Sequence, residues 1–154
     1  MLLLPTIALS LVTLFGSVTA HYEALRLLAR LTAGRPGFRR IGLFVAISGL
    51  LAVHVCEIAL FACAFHIGVQ DLGLGSFVNA RSMAPMDYFY YAAETYSSLG
   101  YGDIYPLGTI RLLASITPVI GLLLMGWSSA FLFSLVHPPP TPESKPDRDV
   151  SASS

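Results

Sequence analysis

The chain has 154 residues, with nine Lys+Arg balancing nine Asp+Glu, so no net basic field exists to draw nucleic acid. It is 55% hydrophobic and 12% charged, whereas soluble domains carry roughly 25% charge. That deficit excludes an ordinary water-soluble domain and makes lipid the expected principal solvent. No Walker motif, no Ser/His/Asp arrangement and no metal-spaced Cys/His cluster stands in the sequence, so an enzyme is not expected.

The first apolar run covers residues 2–20 and is just long enough to span a bilayer. Val18-Thr19-Ala20 resembles a leader-cleavage site, but no Lys or Arg precedes the run, and an uncleaved transmembrane helix over 1–20 is expected. Residues 21–40 carry Arg26, Arg30, Arg35, Arg39 and Arg40 against Glu23 alone, while 69–106 carries only Arg81. Positive charge collects on the cytoplasmic side. The N-terminus and 69–106 are therefore expected outside, and 21–40 and the C-terminus in the cytoplasm. Within 21–33, Leu25, Leu28 and Leu31 share one side; an interfacial amphipathic helix and a plain extension of the first span are both open.

The second run, 41–68, holds His54 and Glu57 three residues apart on one helical face. Ionisable groups at membrane depth are costly and face protein or water. This pair is expected to dock the span onto a neighbouring element through a tyrosine hydroxyl or the Trp127 N–H; metal or proton binding by two ligands on one helix is the weaker alternative. Cys56 and Cys63, roughly 10 Å apart along the helix, are too distant for a disulfide and are expected to be buried. His66 is expected at the outer interface.

Residues 85–97 read as a short helix: Pro85 suits a first turn, Asp87 the positive end of the dipole, and Ser82 a cap. At roughly 20 Å it cannot span, so it reads as re-entrant. Tyr88, Tyr90 and Tyr91 on it suggest either an aromatic cuff around the adjoining loop or an interfacial belt. That loop is Ser98-Leu99-Gly100-Tyr101-Gly102-Asp103. Gly100 and Gly102 reach positive φ without a Cβ penalty, and alternating such residues with ordinary ones can turn successive carbonyls to one side. The third run, about 107–136, contains Pro118 and Gly121, expected as a bend, with close packing through the small residue as the alternative. Phe131 and Leu135 stand near its inner end, facing either a pore or lipid. Residues 137–154 hold five prolines and are expected to be disordered.

Ser98–Asp103 resembles the potassium-channel signature, usually Thr-Val-Gly-Tyr-Gly-Asp, and the likeness extends over Met86–Val136 with the second run as outer helix. The resemblance implies an all-α membrane protein. Its pore domain would cover 41–136, with outer helix 41–68, pore helix 85–97, filter 98–103 and inner helix 107–136. It implies K⁺ held by Ser98, Leu99, Gly100, Tyr101 and Gly102 as permeant ion, with no cofactor and no other metal. It further implies filter support from Glu94, Ser97 and Asp103, a gating hinge at Pro118 and Gly121, and assembly with three further copies in a cell membrane. Ser98 and Leu99 depart from the pattern: serine keeps the hydroxyl but lacks the stiff β-branch, which leaves weaker cation selectivity, or a non-conducting assembly module, as alternatives.

Overall fold

A computed structural model describes residues 2–32, 39–79 and 83–137. In chain order these form α1 (Leu3–Thr32), α2 (Arg39–His66) continued by a π-helical turn (Ile67–Asp71), β1 (Gly75–Val78), α3 (Pro85–Tyr96), β2 (Tyr105–Gly108) and α4 (Arg111–Val136). Three helices, Leu3–Thr32, Arg40–Asp71 and Arg111–Val136, are long and apolar enough to cross a membrane, and α3 is the short helix between the last two. The protein is an all-α membrane protein. The expected tail beyond His137, the cap at Ser82 and the 33–38 part of the arginine-rich loop lie outside the described residues.

The boundary expected at residue 20 is corrected. No glycine or proline interrupts residues 21–32, so α1 continues unbroken to Thr32, the plain-extension reading. At 30 residues it is about 45 Å long, against roughly 30 Å of hydrocarbon. Arg26 and Arg30 are exposed near its end, and Arg26 pairs with Glu23 at 2.9 Å. Leu25 and Leu28 turn inward against Leu50 and Phe131, so Phe131 packs against helices.

The inward face of α1 is polar. Thr6, Ser10, Thr13, Ser17 and His21 are buried at helical spacing, whereas Leu3, Leu4, Val12 and Phe15 point out. This inversion is what lipid selects: large apolar side chains gain nothing by leaving hydrocarbon, and small residues let helices approach. The hydroxyls satisfy themselves by donating to their own helix, Thr6 to Leu2 O, Ser10 to Thr6 O and Thr13 to Leu9 O, each at 2.8 Å. The same logic corrects the cysteines. Cys56 and Cys63 are free, as spacing required, but exposed on α2, because a small apolar thiol carries no penalty against lipid.

The end that carries the α2–α3 and α3–α4 connections is closed by an antiparallel ribbon pairing Gly75 with Gly108 through Val78 with Tyr105. A Cβ at Gly75 would lie 1.9 Å from Leu107 O, so only glycine permits that pairing. Gly108 turns at φ +83°, which delays α4 to Arg111 instead of the expected 107. Phe77 of the ribbon packs on Tyr88 and Tyr91, with ring centroids 5.9 and 4.7 Å away. Tyr88 and Tyr91 are thus core residues of this chain, and His66 stacks edge-on against Tyr88 at 5.1 Å.

Candidate ion-conduction site

The short helix α3 is started by Asp87, whose carboxylate accepts the Ala84 N–H at 2.8 Å, and Pro85 supplies a first turn that lacks only a donor it would not use. Its end is closed by a two-bond Schellman arrangement: Leu99 N–H donates to Glu94 O at 2.8 Å and Ser98 N–H to Thr95 O at 3.1 Å. Such a closure needs a left-handed residue at Ser98, and its φ is +60°. Ser97 completes the cap, its hydroxyl donating to Ala93 O at 2.7 Å.

The chain then alternates. Ser98, Gly100 and Gly102 take φ of +60°, +54° and +76°, while Leu99 and Tyr101 between them do not enter the left-handed region. The two glycines were legible from their missing Cβ. Ser98 was not, since a left-handed serine costs roughly 1–2 kcal/mol and nothing in its type signals it; the signal lies in its place, one residue past the last capped turn. A Cβ at Gly100 or Gly102 would meet nothing within 4 Å, so backbone conformation alone demands glycine there.

One buried carboxylate reaches this segment from behind. Glu94, 4% exposed, accepts the Tyr101 N–H at 3.2 Å. Burial pushes its carboxyl above the ordinary range, against the pull of that N–H, and the nearby Asp103 charge pushes further the same way. Glu94 and Asp103 do not bond to each other. Asp103 Oδ2 accepts the Tyr90 hydroxyl at 3.1 Å, its Oδ1 accepts Ile104 N–H at 3.0 Å, and its carbonyl accepts the Asn79 amide at 2.9 Å. The outer end of the segment is thereby tied to α3 and to the end of β1. Tyr90 also stacks parallel on Tyr101, centroids 6.4 Å apart.

Helix α4 backs directly onto α3. A Cβ at Gly121 would stand 2.0 Å from Tyr96 O, so glycine is needed there for close approach. Pro118 lies one turn earlier inside the unbroken α4, beside buried Thr117, whose hydroxyl donates to Leu113 O at 2.8 Å.

His54 and Glu57 face the protein interior, where they meet more partners than two residues on one helix imply. Glu57, 2% exposed, accepts the Tyr96 hydroxyl and lies 2.8 Å from His21 Nδ1 and 3.0 Å from His54 Nδ1. His54 Nε2 lies 3.0 Å from Ser128 Oγ on α4. The tyrosine is the partner expected for docking; His21 was missed. The helical spacing Thr6, Ser10, Thr13, Ser17, His21 could have placed it on an inward face.

A short capped helix therefore presents its C-terminal end and an alternating backbone between two membrane spans, geometry suited to holding a desolvated cation. No curated protein and no solved structure matches the chain. A family model described as ion channel matches residues 43–137, which span α2 through α4 and leave α1 outside. The chain belongs to that ion-channel family and is a multi-pass membrane protein.

Proposed function

We propose that four copies of this chain form a pore that conducts K⁺ passively and selectively. The observation that carries the reading is the alternation of left-handed backbone at Ser98, Gly100 and Gly102 immediately beyond the negative end of a re-entrant helix. Carbonyls of residues 98–102 from four copies would ring an axis and replace the hydration shell of K⁺. One chain supplies one strand of such a ring, so closure requires cyclic assembly. Leu99 and Tyr101, 59% and 68% exposed beside buried surroundings, are the side chains that neighbouring copies would cover. Glu94 and Asp103 act as supports that hold the strand from behind and above.

Bending at Pro118 would draw Gly121 off the Tyr96 carbonyl and so couple the inner helix to the base of the filter; that is the gating hinge we assign. The N-terminus lies outside and the C-terminus in the cytoplasm, following the arginines of α1 and the loop after it. An impermeant thiol reagent should label a cysteine at position 2 and spare one at 144, and the opposite pattern removes this orientation.

Ser98 and Leu99, neither of them β-branched, support a second reading, a weakly selective cation pore. Liposomes holding the purified protein, given K⁺ or Na⁺ gradients in turn, decide between them. The expected result is K⁺ flux with little Na⁺ flux, from particles sized as tetramers. Equal fluxes establish the second reading, and no flux from intact tetramers removes both.

A further inference from the structure

We propose that His21, His54 and Glu57 form a buried site for a divalent transition-metal ion of the Zn²⁺ class, joining α1 to the family's pore unit. One nitrogen from each histidine and a carboxylate oxygen lie within 4.8 Å of one another. His21 Nδ1 is 2.8 Å from Glu57 Oε1, and His54 Nδ1 is 3.0 Å from Glu57 Oε2. Ligands around a tetrahedral Zn²⁺ with bonds near 2.0–2.1 Å stand about 3.3 Å apart, so the two nitrogen–carboxylate gaps need to open by only a few tenths of an ångström, while the widest pair of the set, bounded at 4.8 Å, would close onto the ion. Two imidazoles and one carboxylate are a donor set suited to this class, leaving a fourth position. The Tyr96 hydroxyl, 2.9 Å from His54 Nδ1, borders that position.

The outer nitrogens supply the second observation. Both histidines aim Nδ1 at the carboxylate, and both aim Nε2 at one atom, Ser128 Oγ, at 3.3 Å from His21 and 3.0 Å from His54. A hydroxyl has two lone pairs but one hydrogen. Two neutral imidazoles that both donate from Nδ1 to Glu57 present two bare Nε2 atoms to that single hydrogen; without a metal, the mismatch is avoided when His54 takes its other tautomer, with Nε2–H donating to Ser128 and Nδ1 accepting the Tyr96 hydroxyl at 2.9 Å. A metal held by both Nδ1 atoms and the carboxylate moves both protons to Nε2, where they donate to the two lone pairs of Ser128. Ligating histidines characteristically anchor their far nitrogen in this way. That tautomer, or one extra proton on the pair, also balances the count, and the test must separate both from the metal.

Burial strengthens the case. His21 is fully buried and Glu57 is 2% exposed, at membrane depth where an unbalanced carboxylate is costly. His21 belongs to α1, outside the family match, so the site would be a feature of this chain's additional helix. Tyr96, which borders it, stands two residues before Ser98. The inference concerns metal retention and holds whether or not the pore prefers K⁺.

The test uses the full chain in detergent, stripped with chelator, reloaded with Zn²⁺ or Co²⁺ and freed of excess ion. Expected are one ion per chain, an absorption band of four-coordinate Co²⁺ that Zn²⁺ abolishes, and a rise in melting temperature on loading. His21→Ala should lose the ion, while a variant lacking His66 and His137 should keep it. Ser128→Ala, a small change that leaves all three ligands, should weaken affinity about 10–100-fold; it decides the matter if His21→Ala does not fold. A wild-type chain that retains no ion, or a Ser128→Ala variant that binds as tightly as wild type, overturns the site and leaves a hydrogen-bonded cluster balanced by the His54 tautomer or by an extra proton.

Discussion

The two ends of one short stretch, Tyr96 and Ser98–Gly102, live under opposite conditions. Tyr96 enters a junction in which α1, α2, α3 and α4 each contribute a polar side chain, and every buried polar side-chain atom among the described residues has a partner. Beyond Ser98 the chain has left-handed backbone and exposed Leu99 and Tyr101, steadied among the described residues by Glu94, Tyr90 and Asn79. A single chain can complete the junction, because burial there is supplied by its own helices. It cannot bury Leu99 and Tyr101, which other copies would cover in the tetramer proposed above. On that proposal stability lies within the subunit, and conduction belongs to the assembly.

That contrast can be broken at four places. The largest effect should come from Gly100→Ala. Its Cβ meets nothing, so the whole penalty is backbone strain at φ +54°, roughly 1–2 kcal/mol, falling on the conducting segment alone. Flux should vanish while the melting temperature of the solubilised protein hardly moves; undiminished flux would sink the filter assignment. Gly121→Ala comes next and should strike both regions together, since its Cβ would enter the Tyr96 carbonyl. Overpacking of this kind costs about 1–3 kcal/mol, so melting and flux should fall in step, and a loss of flux at unchanged melting would leave Gly121 as hinge without a packing role.

Glu57→Ala should act on the junction alone. It strands His21, His54 and the Tyr96 hydroxyl, at a typical cost of about 1–3 kcal/mol. Melting should drop with the K⁺/Na⁺ permeability ratio preserved, and normal melting with an altered ratio would place Glu57 in the conduction path. The smallest effect belongs to Glu94→Gln. Because burial and Asp103 raise the Glu94 carboxyl, the folded chain holds that proton more tightly than the unfolded one. Wild-type stability therefore declines as pH rises from the ordinary carboxylate range through the raised value. The glutamine variant, which imitates the protonated form, should lack that decline. Parallel pH profiles of melting for the two proteins would contradict it.

Much of the pore unit was legible in sequence because its signals are local. Length and apolarity mark α2 and α4, Pro85 and Asp87 mark the start of α3, and paired glycines mark the left-handed positions at 100 and 102. The rest depends on contacts that no spacing encodes. His21 and Glu57 are separated by 36 positions, and His21 stands where apolar sequence gives way to arginines, which reads as a membrane exit. The ribbon strands have four residues each, too short for an alternation pattern, and they meet across α3. Exposure of Cys56 and Cys63 was misjudged because burial was assumed to mean burial in protein, when lipid serves equally well.

The self-satisfied hydroxyls of α1 bear on how the protein is made. Thr6, Ser10, Thr13 and Ser17 each return their proton to their own helix, so α1 needs no partner to enter a bilayer. Its polar attachments to the rest lie at two levels, the Thr6–Thr109 hydroxyl pair at 2.8 Å and the contacts of His21 with Glu57 and Ser128, and Leu25 and Leu28 pack beyond them. A segment that inserts independently and then docks need not be on the same polypeptide. The first helix should thus be separable during biosynthesis: residues 1–38, coexpressed with 39–154, should find their seat and restore what a truncated chain lacks.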